Sequence, residues 1–346
     1  MTFSNFLIQW YLKNKRDLPW RNTRNPYHIW LSEIMLQQTR VAQGLPYFLS
    51  FTDSFPTVFD LANSDEEQVL KLWQGLGYYS RARNLHGTAK YIASELGGIF
   101  PDNYNDLLKL KGVGEYTAAA IASFSYDEAV PVVDGNVFRV LSRYFDVETD
   151  IGSSGAKKEF TALANELIPK DNPAIFNQAI MEFGALQCVP KNPDCEICVL
   201  NSGCLALKYN KVNHLPVKLK KTKVTNRYFN YVIFSDENQD LIIWKRIEKG
   251  IWHNLYEFPL IETDSDSDIL SVFELIYEKY GQKNEILSIK PLNESRIIHK
   301  LSHQHLHIRF FKAEVKGVLE GAISYESMIS YPFPIAIYNF IEKKMF

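Results

Sequence analysis

All four cysteines of this 346-residue chain fall in one short stretch, Cys188, Cys195, Cys198 and Cys204, spaced C-x6-C-x2-C-x5-C. Thiolates are soft ligands, and a set of four suits an iron–sulfur cube or a tetrahedral zinc ion. Structural zinc usually takes tight C-x2-C pairs. Here only the middle pair is tight, so the outer ligands must reach in from loops, which favours a bulky cluster over one small ion. Disulfides are the third reading. They need an oxidising compartment, to which nothing else in the sequence points.

Three further segments carry chemistry-bearing residues. In Ser32-Glu33-Ile34-Met35-Leu36-Gln37-Gln38-Thr39-Arg40 a lone glutamate sits among apolar side chains, with Glu33 and Gln37 expected on one helix face. The plain alternative is a surface glutamate. In Val132-Val133-Asp134-Gly135-Asn136-Val137, Asp134 has the type and place of a helix N-cap, with Asn136 in the first turn. The turn Gly112-Val113-Gly114 lies between two helical patterns. Its glycines let the backbone turn sharply and leave N–H groups open at a helix start, where an anion is favoured. Many such turns are simple connectors.

The elements that must hold these residues fall into two classes. Up to about residue 205 the apolar spacing is helical. Phe3, Phe6, Leu7, Trp10 and Tyr11 begin the pattern, and Tyr116 to Ala122 form a helix of small residues that a neighbour can approach closely. From Lys208 to Arg227 there are seven Lys or Arg residues and no acid: Lys208, Lys211, Lys218, Lys220, Lys221, Lys223 and Arg227. This run reads as a linker that either straps phosphate or simply tethers. Beyond it, Tyr228–Phe234 and Leu241–Trp244 read as strands, and Leu306, Ile308 and Phe310, alternating with His307, Arg309 and Phe311, as a half-buried strand. Ile269, Val272, Phe273, Ile276 and Tyr280 mark one helix between them. The domains implied are 1–207, a 208–226 linker, and an α+β domain over 227–346.

A hydrophobic content of 46% argues against wholesale disorder. No apolar run has membrane-spanning length, and the basic residues near the start follow the apolar ones, unlike a signal peptide. A cytoplasmic enzyme is expected. The net charge of −2 gives no general attraction to nucleic acid, so any grip on DNA must come from local charge and backbone amides.

Taken in order, the glycine turn, the Asp134 cap and the cysteine spacing resemble the endonuclease III superfamily of base-excision DNA glycosylases. The string around Glu33, the segment Gly75-Leu76-Gly77-Tyr78-Tyr79-Ser80-Arg81 and Tyr116 resemble the MutY-type adenine DNA glycosylases within it. The resemblance implies an all-α helix-hairpin-helix glycosylase domain, built from a six-helix barrel module and an iron–sulfur module holding a [4Fe–4S] cluster. It also implies a C-terminal Nudix-like domain that reads 8-oxoguanine. The implied reaction is hydrolysis of the N-glycosidic bond of adenine mispaired with 8-oxoguanine or guanine. The substrate would be double-stranded DNA, met by a monomer with no membrane association, acting at the nucleoid. Relatives that also cut the strand carry a lysine in the slot that Tyr116 occupies, and a phenol cannot form a Schiff base. The alternatives are a bifunctional endonuclease III-like glycosylase/lyase and a non-catalytic mismatch binder.

On this resemblance Glu33 is the proton donor to the adenine ring, its apolar neighbours raising its pKa, and Asp134 stabilises the positive sugar. Tyr116 and Asn136 orient these groups. Gln38 and Tyr78 are wedges for the opened duplex. Trp20 and Arg21 line the adenine pocket, core packing being the alternative for Trp20. Gly112 and Gly114 grip phosphate, and Ser302 and His303 read the lesion. The family's Phe-Ser-His loop has Leu301 in place of the Phe. The pieces of a Nudix signature around Gly250–Pro259 do not make a metal site, so this domain should bind and not hydrolyse.

Overall fold

The polypeptide is helical as far as Lys208. In chain order the helices are α1 (Phe3–Asn14), α2 (Pro26–Leu36), α3 (Val41–Ser54), α4 (Val58–Asn63), α5 (Glu66–Leu72), α6 (Ser80–Glu95), α7 (Tyr104–Leu107), α8 (Glu115–Tyr126), α9 (Gly135–Phe145), α10 (Ala156–Leu167), α11 (Pro173–Leu186) and α12 (Leu205–Lys208). Strands follow: β1 (Thr225–Ser235), β2 (Trp244–Lys245), β3 (Tyr256–Glu257), β4 (Leu260–Thr263), β5 (Ile286–Pro291), β6 (Ile297–Lys300) and β7 (Gln304–Val315), with helices α13 (Ile269–Tyr280), α14 (Tyr325–Met328) and α15 (Ile335–Lys344). This computed structural model describes residues 2–219 and 223–344, so Lys220 and Lys221 of the basic run lie outside the described residues. The chain divides into two units, Met1–Asn63 with Asn84–Lys220, and Ser64–Arg83 with Lys221–Phe346.

In the first unit, Asn25 caps α2 by accepting from the Tyr27 N–H, and Pro26 opens the helix at the position where its missing donor costs nothing. Ile29, Trp30, Leu31, Ile34 and Met35 are all buried, so α2 is apolar around most of its circumference and runs through the interior. It packs on α8, whose Ala118, Ala119, Ala120 and Ala122 keep that approach close. A second core joins Phe3, Leu7 and Tyr11 of α1 to Val137, Val140 and Leu141 of α9, Phe160 of α10 and Phe176, Ile180 and Phe183 of α11. Cys188 and Cys198 pack against the same core. The crossing of α9 and α11 is tight at Gly184, where an added Cβ would stand 2.7 Å from Cβ and 2.9 Å from the carbonyl oxygen of Asn136.

In the second unit the strand order is β4-β1-β7-β5, with β6 also paired to β7. β1 and β7 run parallel, and the other pairings in this sheet are antiparallel. Asp268 caps α13 by accepting from the Ser271 N–H. Val272, Ile276 and Tyr280 then pack on Val232, Phe234, Phe311 and Ala313. On the opposite face Phe310 stacks on Phe340 of α15 at 3.7 Å. β7 is therefore buried on both faces in its middle, not on one as the alternation suggested. The stretch Leu241–Trp244 is no continuous strand: it has isolated bridges from Leu241 to Ser235 and to Ile323, and the two-residue β2 begins at Trp244. Residues of the Ser64–Arg83 segment are hydrogen-bonded throughout this unit. Glu67 accepts from Lys245 and from the Tyr256 hydroxyl, Lys71 donates to the carbonyls of Ile329 and Tyr331, Gln74 accepts from the Phe333 N–H, and Arg83 donates to the His253 carbonyl.

The α9–α11 contact gives a direct expectation. Gly184→Val has no room to relax, because part of what it meets is backbone, so it should destabilise the protein by about 1–3 kcal/mol. Chemical denaturation followed by far-ultraviolet circular dichroism measures this, and wild-type stability in the variant would contradict the packing described.

Candidate active site

A cavity of about 380 Å³ opens in the first unit, and Glu33, Asp134, Tyr116, Asn136, Trp20 and Arg21 all line it. They come from four separated stretches of chain. Glu33 lies in the last two turns of α2, Tyr116 in the first turn of α8, Asp134 and Asn136 at the start of α9, and Trp20 and Arg21 in the short 3-10 turn Pro19–Arg21. Trp20 is both core and lining: it is buried and meets Phe48 edge-on at 5.1 Å.

Glu33 is buried, so the surface reading does not apply to it. Burial pushes its carboxyl up to about 7, helped by the charge of Asp134 and opposed by the hydrogen bond from Tyr116 and the charge of Arg21. Such a group can carry a proton near neutral pH, where an ordinary carboxyl does not. Gln37 does not share its helix face. It stands just past the end of α2, and its side-chain amide donates to Thr117 at 3.2 Å. The Tyr116 hydroxyl is held neutral, first by burial and then by the carboxylates of Glu33 and Asp134.

Asp134 is the N-cap of α9. Its Oδ1 accepts from the N–H groups of Asn136 and Val137, both at 2.8 Å, and its Oδ2 accepts from Asn136 Nδ2 at 2.7 Å. Burial raises its carboxyl above the ordinary value, against the pull of these hydrogen bonds and of Arg139. Desolvation is thus a larger influence on this carboxyl than the helix start it caps.

The sequence reading missed several lining residues. Glu182 on α11 is fully buried and accepts from Arg16 and Arg21. Arg139 on α9 donates from Nη2 to Asn136 Oδ1 at 2.9 Å and to the Gly184 carbonyl at 2.6 Å, and from Nε to the Cys188 carbonyl at 2.7 Å. Gln178 lines the cavity and accepts from the Tyr11 hydroxyl at 2.5 Å. The signal for Glu182 was available, since Ala179-Ile180-Met181-Glu182-Phe183-Gly184 is a lone acid in an apolar helix, the same pattern that singled out Glu33.

The four cysteines are thiols, none paired in a disulfide. Among the described residues, no three Cys, His, Asp or Glu side chains converge as a tight metal-binding group. The thiols are nonetheless electrostatic neighbours. Burial pushes Cys198 up to about 11, and Cys188, Cys195 and Cys204 each add to the rise. Arg143 donates to the Cys188 sulfur at 3.4 Å and to the Val189 and Pro190 carbonyls.

The remaining candidates sit at turns. Gly112 has φ +78, and a Cβ there would meet Asn84 Cβ at 2.8 Å, so both conformation and space call for glycine. Gly114 is the N-cap of α8, with nothing within 4 Å of an added Cβ. Gln38 is exposed in a left-handed turn after α2. In the second unit Tyr78 also has positive φ, is 46% exposed, and its hydroxyl is hydrogen-bonded to that of Ser302. Ser302 and His303 are exposed in the β6–β7 turn, where the His303 carbonyl accepts from the Thr225 N–H at 3.0 Å. Two cations of the basic run are paired with acids: Lys211 with Asp146 and Glu148, and Arg227 with Glu262.

Residues 31–170 match the family described as HhH-GPD superfamily base excision DNA repair protein, and residues 230–343 match the NUDIX domain. The helical unit with its glycine hairpin and two-acid cavity is thus that of a base-excision DNA glycosylase. Among relatives, an adenine DNA glycosylase of Buchnera aphidicola subsp. Schizaphis graminum is 38% identical over 308 residues, spanning 88% of this chain and 86% of that one. Another, of Buchnera aphidicola subsp. Baizongia pistaciae, is 37% identical over 89% of this chain and 85% of its own. The chain belongs to the adenine DNA glycosylase family. Among solved structures, a thermostable thymine-DNA glycosylase is similar at a TM-score of 0.56 and 29% identity, over 60% of this chain and 95% of that one.

The raised carboxyl of Glu33 has a consequence for stability. The folded protein holds this proton more tightly than the unfolded chain does, so the contribution is complete below the ordinary value of 4.5 and is lost as pH rises through about 7. At about 1.4 kcal/mol per pH unit the loss approaches about 3 kcal/mol. Glu33→Gln, with no charge to bury, should therefore gain stability over wild type as pH rises from 5 to 8. Urea titrations across that range read the difference, and a gap that does not grow with pH would contradict the burial of the charge.

Proposed function

We propose that the protein removes adenine mispaired with 8-oxoguanine or guanine from double-stranded DNA, by hydrolysis alone and without cutting the strand. The observation that carries this reading is one cavity lined both by a carboxyl poised near neutrality, Glu33, and by a second carboxylate, Asp134, with no lysine among the described lining residues. The names of the relatives supply the adenine.

The target nucleotide leaves the stack to enter the cavity. Glu33 gives its proton to N7 of the purine, so that when the C1′–N9 bond breaks its electron pair leaves on a neutral base. Positive charge develops at C1′, and Asp134 stabilises it electrostatically or bonds to C1′ as a transient ester. Water then adds to C1′, displacing the Asp134 carboxylate where the ester has formed, and returns a proton to Glu33, which restores the acid. Tyr116 steadies Glu33, and Asn136 steadies Asp134. No amine of Tyr116 is available to attack the sugar, so the lyase route is closed at that residue.

The duplex would be held by the amides around Gly112 and Gly114, which suit phosphate at a helix start. Gln38 and Tyr78 would fill the opened stack, and Ser302 with His303 would hydrogen-bond the opposite base. The protein would act as a monomer on DNA in the cytoplasm. Cys188, Cys195, Cys198 and Cys204 would hold a [4Fe–4S] cluster. The all-thiol donor set and the Arg143 N–H aimed at Cys188 fit it. A cluster with cysteine on every iron has no open position, so it would brace the fold and contribute no step.

Single-turnover excision on duplexes holding A:8-oxoguanine, A:G, A:T and a thymine-glycol pair, read with and without alkali, tests the reading. Expected is adenine release from the first two, strand breaks only after alkali, no borohydride trapping, and a loss of about 10²-fold or more in Glu33→Gln with mismatch binding retained. Strong trapping, or normal turnover by Glu33→Gln, would sink it. Protein purified without oxygen should carry about four irons per chain, and Cys198→Ser should lose most of them. Iron at background level in the intact protein would refute the cluster.

A further inference from the structure

Glu182 is the most strongly held acid at the cavity. Its side chain has no exposure, its Oε1 accepts from the backbone N–H and Nε of Arg16 at 3.0 and 2.8 Å, and its Oε2 accepts from Arg16 Nη2 and Arg21 Nη2, both at 2.6 Å. One nitrogen of Arg21, Nη1, is buried with no hydrogen-bond partner. With almost no accessible surface, that nitrogen lies within the cavity wall, so what Arg21 brings to the cavity is its charge. The Tyr11 ring, 5.8 Å from the guanidinium carbon, supports Arg21 from another side.

We propose that Glu182 is a positioning residue for base excision, which fixes the Arg21 guanidinium in the cavity wall and offsets the positive charge standing beside Glu33. The inference rests on the proposed role of Glu33 as proton donor. The charged and titratable groups that line the cavity with Glu33 are Arg21 from the 3-10 turn, Arg16 before it, Arg40 after α2, Tyr116 from α8, Asp134 and Arg139 from the start of α9, and Glu182 from α11, of which Tyr116, Asp134 and Arg21 act on Glu33 most directly. Cations outnumber the other acids in this set, so an uncompensated Arg16 or Arg21 would favour the ionised and inactive form of Glu33. The carboxyl of Glu182 is itself held down to about 2 because the two guanidinium groups outweigh the effect of burial, so it stays charged wherever the enzyme works. It is a fixed counter-charge and does not titrate with Glu33.

Two charge variants of the full chain separate this role from a structural one. In Glu182→Gln the positive excess grows, so the single-turnover pH profile should move to lower pH by about one unit. The rate would fall about tenfold at pH 7.5 and less at pH 5.5. Arg16→Gln removes a cation from a half-exposed site and should move the profile the opposite way. The double variant should return it towards wild type. Because Glu182→Gln leaves buried guanidinium groups short of a partner and is at risk of misfolding, the Arg16→Gln shift stands as an independent reading. Profiles that keep their wild-type midpoint in both single variants, or that move in the same direction, would overturn the inference. Glu33→Gln run alongside distinguishes the failures. Retained excision by that variant overturns the proposed function and this inference with it. An inactive Glu33→Gln with unmoved profiles in the charge variants overturns this inference alone.

Discussion

The burial of one carboxyl on α2 is the constraint around which the first unit is arranged. A helix apolar on nearly every side must be covered on nearly every side, and any acid on it is then taken out of water. Glu33 escapes the full cost because its raised carboxyl can hold a proton near neutral pH, and because it accepts from Tyr116. That arrangement needs α8 close to α2, hence the alanines of α8. It also needs Tyr116 within its first turn, hence the sharp turn at Gly112, whose positive φ and contact with Asn84 admit no side chain. The hairpin proposed to meet phosphate and the phenol that hydrogen-bonds Glu33 are therefore set by the same few residues.

A second chain of contacts runs from Asp134 towards the cysteines. Asp134 caps α9, Asn136 bonds to it, and Arg139 one turn on bonds to Asn136 and to carbonyls at the end of α11 and at Cys188. An N-cap alone is worth about 1 kcal/mol. Here the same carboxylate is also buried beside a cavity, which costs more than the cap returns. The tight crossing at Gly184 and the bonds of Arg139 and Arg143 hold the cost in place. The cysteine stretch is thus braced against the helix that carries the second acid, and loosening either end would disturb Asp134 through Arg139.

The parts of this architecture that a local pattern encodes could be read from the chain. The apolar spacing located α1 and α13, Asp134 announced itself as a cap, and the glycine turn marked the start of α8. Glu33 stood out as an acid with apolar neighbours. What escaped was whatever depends on two distant stretches meeting. Arg16 and Arg21 find Glu182 across more than 160 positions of sequence, and no periodicity reports that. Gln37 follows the helical pattern of α2 on paper, but the chain leaves the helix at that residue to make the left-handed turn at Gln38. The alternation in β7 suggested one wet face, because the sequence of a strand does not show which other helix will cover it. The tie of Ser64–Arg83 into the second unit is made by Glu66, Glu67, Lys71 and Gln74, which look like the solvent face of an ordinary helix.

That tie bears on how the second unit could read a base without hydrolysing a nucleotide. Glu257, in the segment that retains pieces of a Nudix signature, is occupied: Arg246 donates to both its oxygens and the Tyr231 hydroxyl donates at 3.0 Å. An acid so engaged is a poor cation ligand, because its charge and lone pairs are already met. The same unit presents Tyr78 and Ser302 together, one on a turn made by Gly75 and Gly77 at positive φ, the other at the tip of the β6–β7 turn. Arg81 lies over the Tyr78 ring and donates to the Gly77 carbonyl, which stiffens that turn from below. Side chains exposed on loops but anchored to a rigid sheet are the usual material of recognition. On the proposed reading, with Tyr78 and Ser302 fixed to one body, a base that displaced Ser302 would also perturb Tyr78, and discrimination at the lesion would be felt at the stack.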